Sequence, residues 1–325
     1  MDKVTVCIPT YNRASWVGGA IESVLAQTWR GFSLVVSDNA SRDTTRAVVA
    51  GFHDPRLSYV RRERTLPLNA HWNACIADAQ SPYLFLLPDD DRLAPDALER
   101  LVAALERRPR AGLAHGRADI VDHGGRLISA GHQMTGLDGD AVESGAEFIR
   151  RSMAAGYRVH ASTALLRTEA LAGLRLEERD FPLTDLGLWM RVALRWDIAF
   201  VDWTLASYRI HDGSYSAGAA DVTSGGYQQR VDRIVKAREV KLRLVREHGL
   251  PRALERPARR ALRRELIEHA GTSTLPARRL GATARALGRC LRLDSAVALE
   301  PAAWKLLLGS ILGRRVVAVL KGATA

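Results

Sequence analysis

The chain has 325 residues, 47% of them hydrophobic and 26% charged, a composition that supports a real buried core and argues against a disordered or fibrous protein. Its three cysteines, Cys7, Cys75 and Cys290, are far apart and form no CxxC pair, which argues against a disulfide framework or a zinc site. The net charge of +11 is uneven: residues 1–225 hold 25 Lys/Arg against 28 Asp/Glu, whereas residues 226–325 hold 22 against 8. No apolar run approaches the roughly 20 residues that span a bilayer, and Met1-Asp2-Lys3 leads straight into a strand, so a cytoplasmic protein is expected.

Residues 4–8 are apolar and β-branched, a first strand, with Pro9-Thr10-Tyr11-Asn12-Arg13 as the loop at its carboxyl end. Ser15 is placed to cap a helix reaching about residue 27, with Val17, Ile21, Val24 and Leu25 on one face. A second strand over 32–36 ends in Ser37-Asp38-Asn39, and Ser41 is placed to cap a short helix over 44–51. A third strand covers 57–61, a helix 69–79, and a strand buried on both faces 83–87. That strand stops at Pro88, and Asp89, Asp90 and Asp91 follow, before an amphipathic helix over about 95–107. The alternation predicts right-handed βαβ crossovers and a mostly parallel sheet, which gathers the loops after the strands on one edge.

Three adjacent carboxylates repel one another unless something positive lies between them, and a hard divalent cation with oxygen ligands, Mg²⁺ or Mn²⁺, is the natural solution. The competing reading is an acidic first turn for the helix that follows. The edge has no G-x-G-x-x-G and no P-loop glycines, so neither a dinucleotide fingerprint nor P-loop chemistry fits. It offers instead an aromatic to stack on a base (Tyr11), a carboxylate to accept from a base N–H (Asp38), two amides (Asn69 and Asn73) and the aspartate triplet. That set suits a nucleoside diphosphate.

Further along, 112–116 and 119–122 read as a strand and turn, with His115 structural. Residues 129–145 are Gly-rich and polar and read as a mobile loop, and 162–166 read as a strand ending at Arg167. Gly225-Gly226 reads as a hinge into a basic helical region with candidates over 228–247, 252–269, 277–293 and 302–320. The last contains Trp304 and basic residues, and suits either an anionic membrane surface or a helical cap on the preceding domain. No nucleic-acid-binding pattern is present.

The stretches Val4-Thr5-Val6-Cys7-Ile8-Pro9-Thr10-Tyr11-Asn12-Arg13, Ser23-Val24-Leu25-Ala26-Gln27-Thr28, Val36-Ser37-Asp38-Asn39-Ala40-Ser41-Arg42-Asp43 and Pro88-Asp89-Asp90-Asp91 together closely resemble the family 2 glycosyltransferases, strongly to about residue 110 and more weakly to about 216. The resemblance implies an inverting enzyme with the α/β GT-A fold. Its catalytic domain would be 1–225, with a nucleotide-sugar half over 1–110 and an acceptor half over 111–225, followed by an α-helical extension over 226–325. It implies donor-nucleotide contacts at Pro9, Thr10, Tyr11, Arg13, Asp38, Asn69, Asn73, Asp89 and Asp90, and a Mg²⁺ or Mn²⁺ held by Asp89, Asp91 and His211. Phe181-Pro182-Leu183-Thr184-Asp185 matches the helix start that carries the family's general base, which assigns Asp185 that role beside the simpler reading of a helix N-terminal acid. Tyr208-Arg209-Ile210-His211-Asp212-Gly213-Ser214 matches the stretch that closes the domain and, with Trp189, puts Arg209 and Ser214 on the diphosphate and acceptor side. The family's processive members carry Gln-x-x-Arg-Trp, absent here, so transfer of one sugar is expected, from a UDP-linked donor to a glycan, lipid-linked or small-molecule acceptor. The rival readings are a sugar-phosphate nucleotidyltransferase, which needs glycines that 9–13 lack, and a silent scaffold of the same fold.

Overall fold

The computed structural model describes residues 2–155, 157–211 and 224–272, with 288, 291, 292 and 294. Its first half follows the predicted alternation: β1 (Val4–Thr10), α1 (Ala14–Leu25), β2 (Phe32–Asp38), α2 (Thr45–Ala50), β3 (Leu57–Arg61), α3 (Leu68–Ala77) and β4 (Tyr83–Leu86). Every residue of β1 and β4 is buried, as expected for strands covered on both faces. The parallel register sets Thr10 opposite Asp38 and Cys7 opposite Leu86, so the ends of β1, β2 and β4 share one edge.

Two predicted caps are corrected. The N-caps of α1 and α2 are Arg13 and Thr44, and neither makes a side-chain cap bond. Ser41 instead accepts the Asn12 N–H at 2.9 Å, while Asp43 accepts the Ala14 and Thr45 N–H groups at 3.0 Å each. These residues therefore bind the loop after β1 to the loop after β2. The amphipathic helix α4 (Ala97–Arg107) buries Leu98, Leu101, Val102 and Leu105 as its pattern predicts. Its amino end is held from a distance, because the Gln27 amide accepts the Leu98 N–H at 3.0 Å and donates to the Ala94 carbonyl at 2.7 Å.

The second half departs further from expectation. Residues read as strand plus turn form one strand, β6 (Ala111–Val121), and the predicted mobile loop contains β7 (Leu127–His132) and β8 (Ala141–Glu143). β7 pairs antiparallel with β6, and β8 with β10 (Asp197–Arg209). The strand read over 162–166 is a 3₁₀ turn at Ala161–Thr163 and then β9 (Leu165–Arg167). With β5 (Arg92–Leu93) the sheet runs β3-β2-β1-β4-β9-β6-β10-β5. The β3-β2-β1-β4 block is parallel, as is β6 with β10, but β9 lies antiparallel between β4 and β6. The sheet is therefore an α/β sheet of mixed direction, with its parallel core in the nucleotide half. Helices α5 (Gly145–Ala154) and α6 (Thr184–Ala193) complete this half.

His115, on β6, is enclosed beside Phe200, with neither ring nitrogen hydrogen-bonded, and burial holds its pKa down to about 3. The unfolded chain therefore takes up a proton at this residue between pH 6.5 and about 3 that the folded chain refuses. Stability from this residue falls as pH drops through that window, at up to about 1.4 kcal/mol per pH unit. His115→Phe should remove that slope, so the stability gap between variant and wild type in urea titrations should move in favour of the variant as pH falls from 6.5 to 4.

The chain divides into two compact units, residues 1–149 with 157–210, and 150–156 with 211–325. The expected hinge at Gly225-Gly226 lies inside the first turn of α7 (Ser224–Glu247). α7 ends as its sequence predicts, at Gly249 in the left-handed region (φ 60°), where the Leu250 N–H bonds back to the Val245 carbonyl at 2.9 Å. It packs on α8 (Glu255–Thr272), which begins three residues after the predicted start. Within this unit the fully buried Arg238 and Lys241 both donate to the Ala155 carbonyl, at 2.7 and 2.5 Å, closing the carboxyl end of α5 with positive charge. The candidate helices over 277–293 and 302–320 fall almost wholly outside the described residues. Among the described residues no helix is long and apolar enough to cross a membrane.

Candidate active site

The edge formed by the ends of β1, β2 and β4 holds most of the residues expected to meet a donor. Tyr11 stands 41% exposed just past β1, an available aromatic face. Asp38, at the end of β2, is fully buried. One of its oxygens accepts the Ser41 N–H at 2.8 Å, and the other accepts the Tyr59 hydroxyl and lies 3.7 Å from the Arg61 guanidinium. Burial and the neighbouring carboxylate push the Tyr59 phenol up to about 12. Ala40, two residues on, has φ 63°, a left-handed conformation that costs a non-glycine residue about 1–2 kcal/mol. It is held there by Asn39, whose amide donates to the Leu66 carbonyl at 2.9 Å and accepts the Leu66 N–H at 2.8 Å.

The two amides predicted on α3 have different fates. Asn69 is 1% exposed, and neither its nitrogen nor its oxygen has a hydrogen-bond partner. Asn73 is engaged at a distance: its amide donates to the Leu176 carbonyl at 2.9 Å and accepts the Leu176 N–H at 2.8 Å, so it pins a distant segment.

The three aspartates point in different directions. Asp89 is enclosed beneath Thr10, with the Arg13 guanidinium 4.0 Å away; burial, and then the charge on Asp90, raises its pKa to about 7. Asp90 is half-buried. Asp91 is 1% exposed and turned inward: one oxygen accepts the Ser162 hydroxyl and the other the Arg209 N–H at 2.8 Å. Burial and the Asp90 charge push its pKa well above the carboxylate range. The expectation that Asp91 faces a metal is therefore corrected.

Arg209 is corrected as well. Its guanidinium donates to three backbone carbonyls, those of Asp90, Asp122 and His123, each at 3.0 Å, and lies over the Trp16 ring at 4.7 Å. Its Nε and Nη1 are thus engaged by the protein backbone. Trp189, expected on the acceptor side, is buried on the inner face of α6. His211, the expected third metal ligand, is a buried residue of the second unit, and Ser214 lies outside the described residues.

Among the described residues no three His, Cys, Asp or Glu side chains converge as a ready cation site. The residues nevertheless fit a magnesium-type ion. Such an ion takes one or two carboxylates and completes its shell with water and substrate phosphates. Asp89, whose proton affinity burial and then the Asp90 charge drive up, and its neighbour Asp90 supply that number of hard oxygen donors.

Asp185 occupies the first turn of α6, half-buried, with its Oδ1 accepting the Leu186 N–H at 2.9 Å. That turn is fastened from below: Arg191, one helix face away, pairs with Asp180 at 2.7 Å and Glu177 at 3.1 Å in the interior. Phe181, four residues before Asp185, is 41% exposed. Sequence reasoning missed the bonds of Ser162 to Asp91 and of Tyr59 to Asp38, which chain order gives no signal for.

A parallel βα block that ends in an aspartate-rich turn is the architecture of the GT-A fold. Residues 5–165 belong to the family 2 glycosyltransferases, whose model, "Glycosyl transferase family 2", they match. Among curated relatives, the succinoglycan biosynthesis protein ExoO of Rhizobium meliloti is 36% identical over 127 residues, 38% of this chain and 36% of that protein. The chain thus matches only about a third of the length of the first such relatives. Among solved structures, S. aureus TarS 1-349 in complex with UDP-GlcNAc superposes with a TM-score of 0.67 at 16% identity, covering 100% of this chain and 92% of TarS. The mannosyltransferase PcManGT of Pyrobaculum calidifontis, in complex with GDP-Man and Mn²⁺, superposes at 0.52 with 18% identity, covering 99% and 87%. Both likenesses are of fold.

Proposed function

We propose that the protein is an inverting glycosyltransferase that moves one sugar from a nucleoside-diphosphate donor, UDP-linked, to a hydroxyl of a glycan. The observation that carries this reading is the acidic turn beside an exposed aromatic: Asp89, which burial and then the Asp90 charge raise to about 7, Asp90 next to it, and Tyr11 at the end of the adjacent strand. Family membership supports the chemistry, the UDP-GlcNAc bound by TarS supports the donor class, and the role in the name of ExoO supports a glycan acceptor.

In this reading Tyr11 stacks on the base, while Asp38 and the unpartnered Asn69 amide supply polar contacts on the same edge. Asp90, with ionised Asp89, would hold a Mg²⁺ or Mn²⁺ ion, which when bound supplies charge neutralisation for the departing diphosphate. Asp185 takes the proton from the acceptor hydroxyl as that oxygen attacks the anomeric carbon from the face opposite the diphosphate, which inverts its configuration. The exposed Phe181 ring offers an apolar face for the acceptor sugar.

Calorimetry of UDP and GDP, each with and without Mn²⁺, tests the reading. Tight UDP uptake only with Mn²⁺ is expected, and no uptake under any condition would overturn it. Tyr11→Ala should weaken UDP binding by roughly 1–3 kcal/mol, the worth of one stacked base, without lowering thermal stability.

A further inference from the structure

The turn that carries the aspartates is tied to the acceptor half by bonds that no donor contact requires. Asp91 places a carboxyl group in the interior, and a group so placed persists only when its oxygens are bonded. Its two partners come from far along the chain. Ser162, 71 residues away, donates from the 3₁₀ turn before β9. Arg209, 118 residues away, donates its N–H from the last position of β10. Thr163 holds that 3₁₀ turn in place by donating to the His160 carbonyl at 2.9 Å.

Arg209 adds a second fastening. Its Nε donates to the Asp90 carbonyl, while its Nη1 reaches the carbonyls of Asp122 and His123, at the end of β6 and the turn after it. Trp16, on α1, covers the guanidinium at 4.7 Å and meets the His123 ring edge-on at 4.8 Å. Arg209 of β10 therefore holds the Asp90 carbonyl, and the end of β6 and Trp16 of α1 hold the Arg209 guanidinium in turn. β5 extends the arrangement, since Arg92 and Leu93 pair with Ser207 and Ala206 of β10. With the Asp91 side chain anchored inward and the Asp90 carbonyl gripped, the peptide on both sides of Asp90 is fixed. The Asp90 carboxylate is left as the half-buried member of the triplet.

We propose that Ser162 and Arg209 are positioning residues that lock the 88–91 turn, with Asp91 as the anchor between them, so that Asp90 is presented to the donor diphosphate. The lock rests on the reading of the site given above, and its own existence can be tested apart from it. Neither residue touches donor or acceptor; both act through Asp90.

The experiment compares wild type, Ser162→Ala and Arg209→Lys. Hydrogen exchange of the ligand-free proteins should show faster exchange across 88–93 in both variants. Unchanged exchange there overturns the lock whatever the protein's function. UDP binding as a function of Mn²⁺ should then show half-saturation moved to higher metal by roughly tenfold or more, the usual scale for residues that orient a metal ligand. A merely structural role would lower the melting temperature and leave that half-saturation where it was, which would overturn the positioning role. Should one variant fail to fold, the other carries both readouts. A wild-type protein that takes up no nucleotide would overturn the proposed function, and the positioning role with it, while the exchange result would still decide the lock.

Discussion

Asp185→Asn is expected to lower sugar transfer by about 10²–10⁴-fold while leaving UDP affinity unchanged. A sugar hydroxyl is a weak nucleophile at neutral pH, and attack on the anomeric carbon needs its proton removed as the new bond forms. Asn has nearly the same shape, and it can still accept the Leu186 N–H through its oxygen, so the first turn of α6 keeps its geometry. What it loses is basicity. The contrast with Asp90→Asn makes the test specific: that change should weaken metal-dependent UDP uptake and turnover together. Initial rates at saturating donor, paired with calorimetry, separate the two. Transfer that survives in Asp185→Asn would leave Asp185 as a helix N-terminal acid and send the search for the base elsewhere.

The largest expected effect on stability is at Gly187. A Cβ there would run into the Asp180 carboxylate, meeting its Cγ at 2.9 Å, and would also press on Arg191 Nη1 at 3.0 Å. Asp180 is fully buried and Arg191 almost so, and the pair between them is the fastening beneath the Asp185 turn. Parting a buried ion pair costs up to about 3–5 kcal/mol, and here Arg191 keeps Glu177 at 3.1 Å while Asp180 loses its guanidinium partner. Gly187→Ala should therefore lose up to about that much stability in urea or thermal unfolding, and its turnover should fall even where the protein remains folded. A variant as stable as wild type would mean that α6 can shift without disturbing Asp180.

The parallel block was legible because its strands are strongly patterned. β1, β2 and β4 are rich in apolar and β-branched residues, each followed by a polar loop, and chain order alone then puts Tyr11, Asp38 and the aspartates on one edge. The mixed half was less legible for physical reasons. β7 has exposed and half-buried residues throughout, so it shows no apolar signature, and β9 is only three residues long. The individual roles within the triplet were beyond the sequence. Three consecutive carboxylates have no periodicity that says which turns inward, and the choice is made by Ser162 and Arg209, which chain order places far away. Asn73 and Arg209 show the same thing from the other side: a polar residue at a motif position was read as facing a ligand, and tertiary carbonyls claimed it first.

The short strand β9 has a practical bearing on how the protein can be divided. It supplies hydrogen bonds to β4 on one flank and to β6 on the other, running against both. A fragment cut near residue 110 would keep every element of the nucleotide half yet leave the apolar ribbon β4 with one naked flank, open to pairing with another molecule. That half is thus unsuited to excision as a free-standing nucleotide-binding module, and soluble truncations should be sought only beyond residue 167.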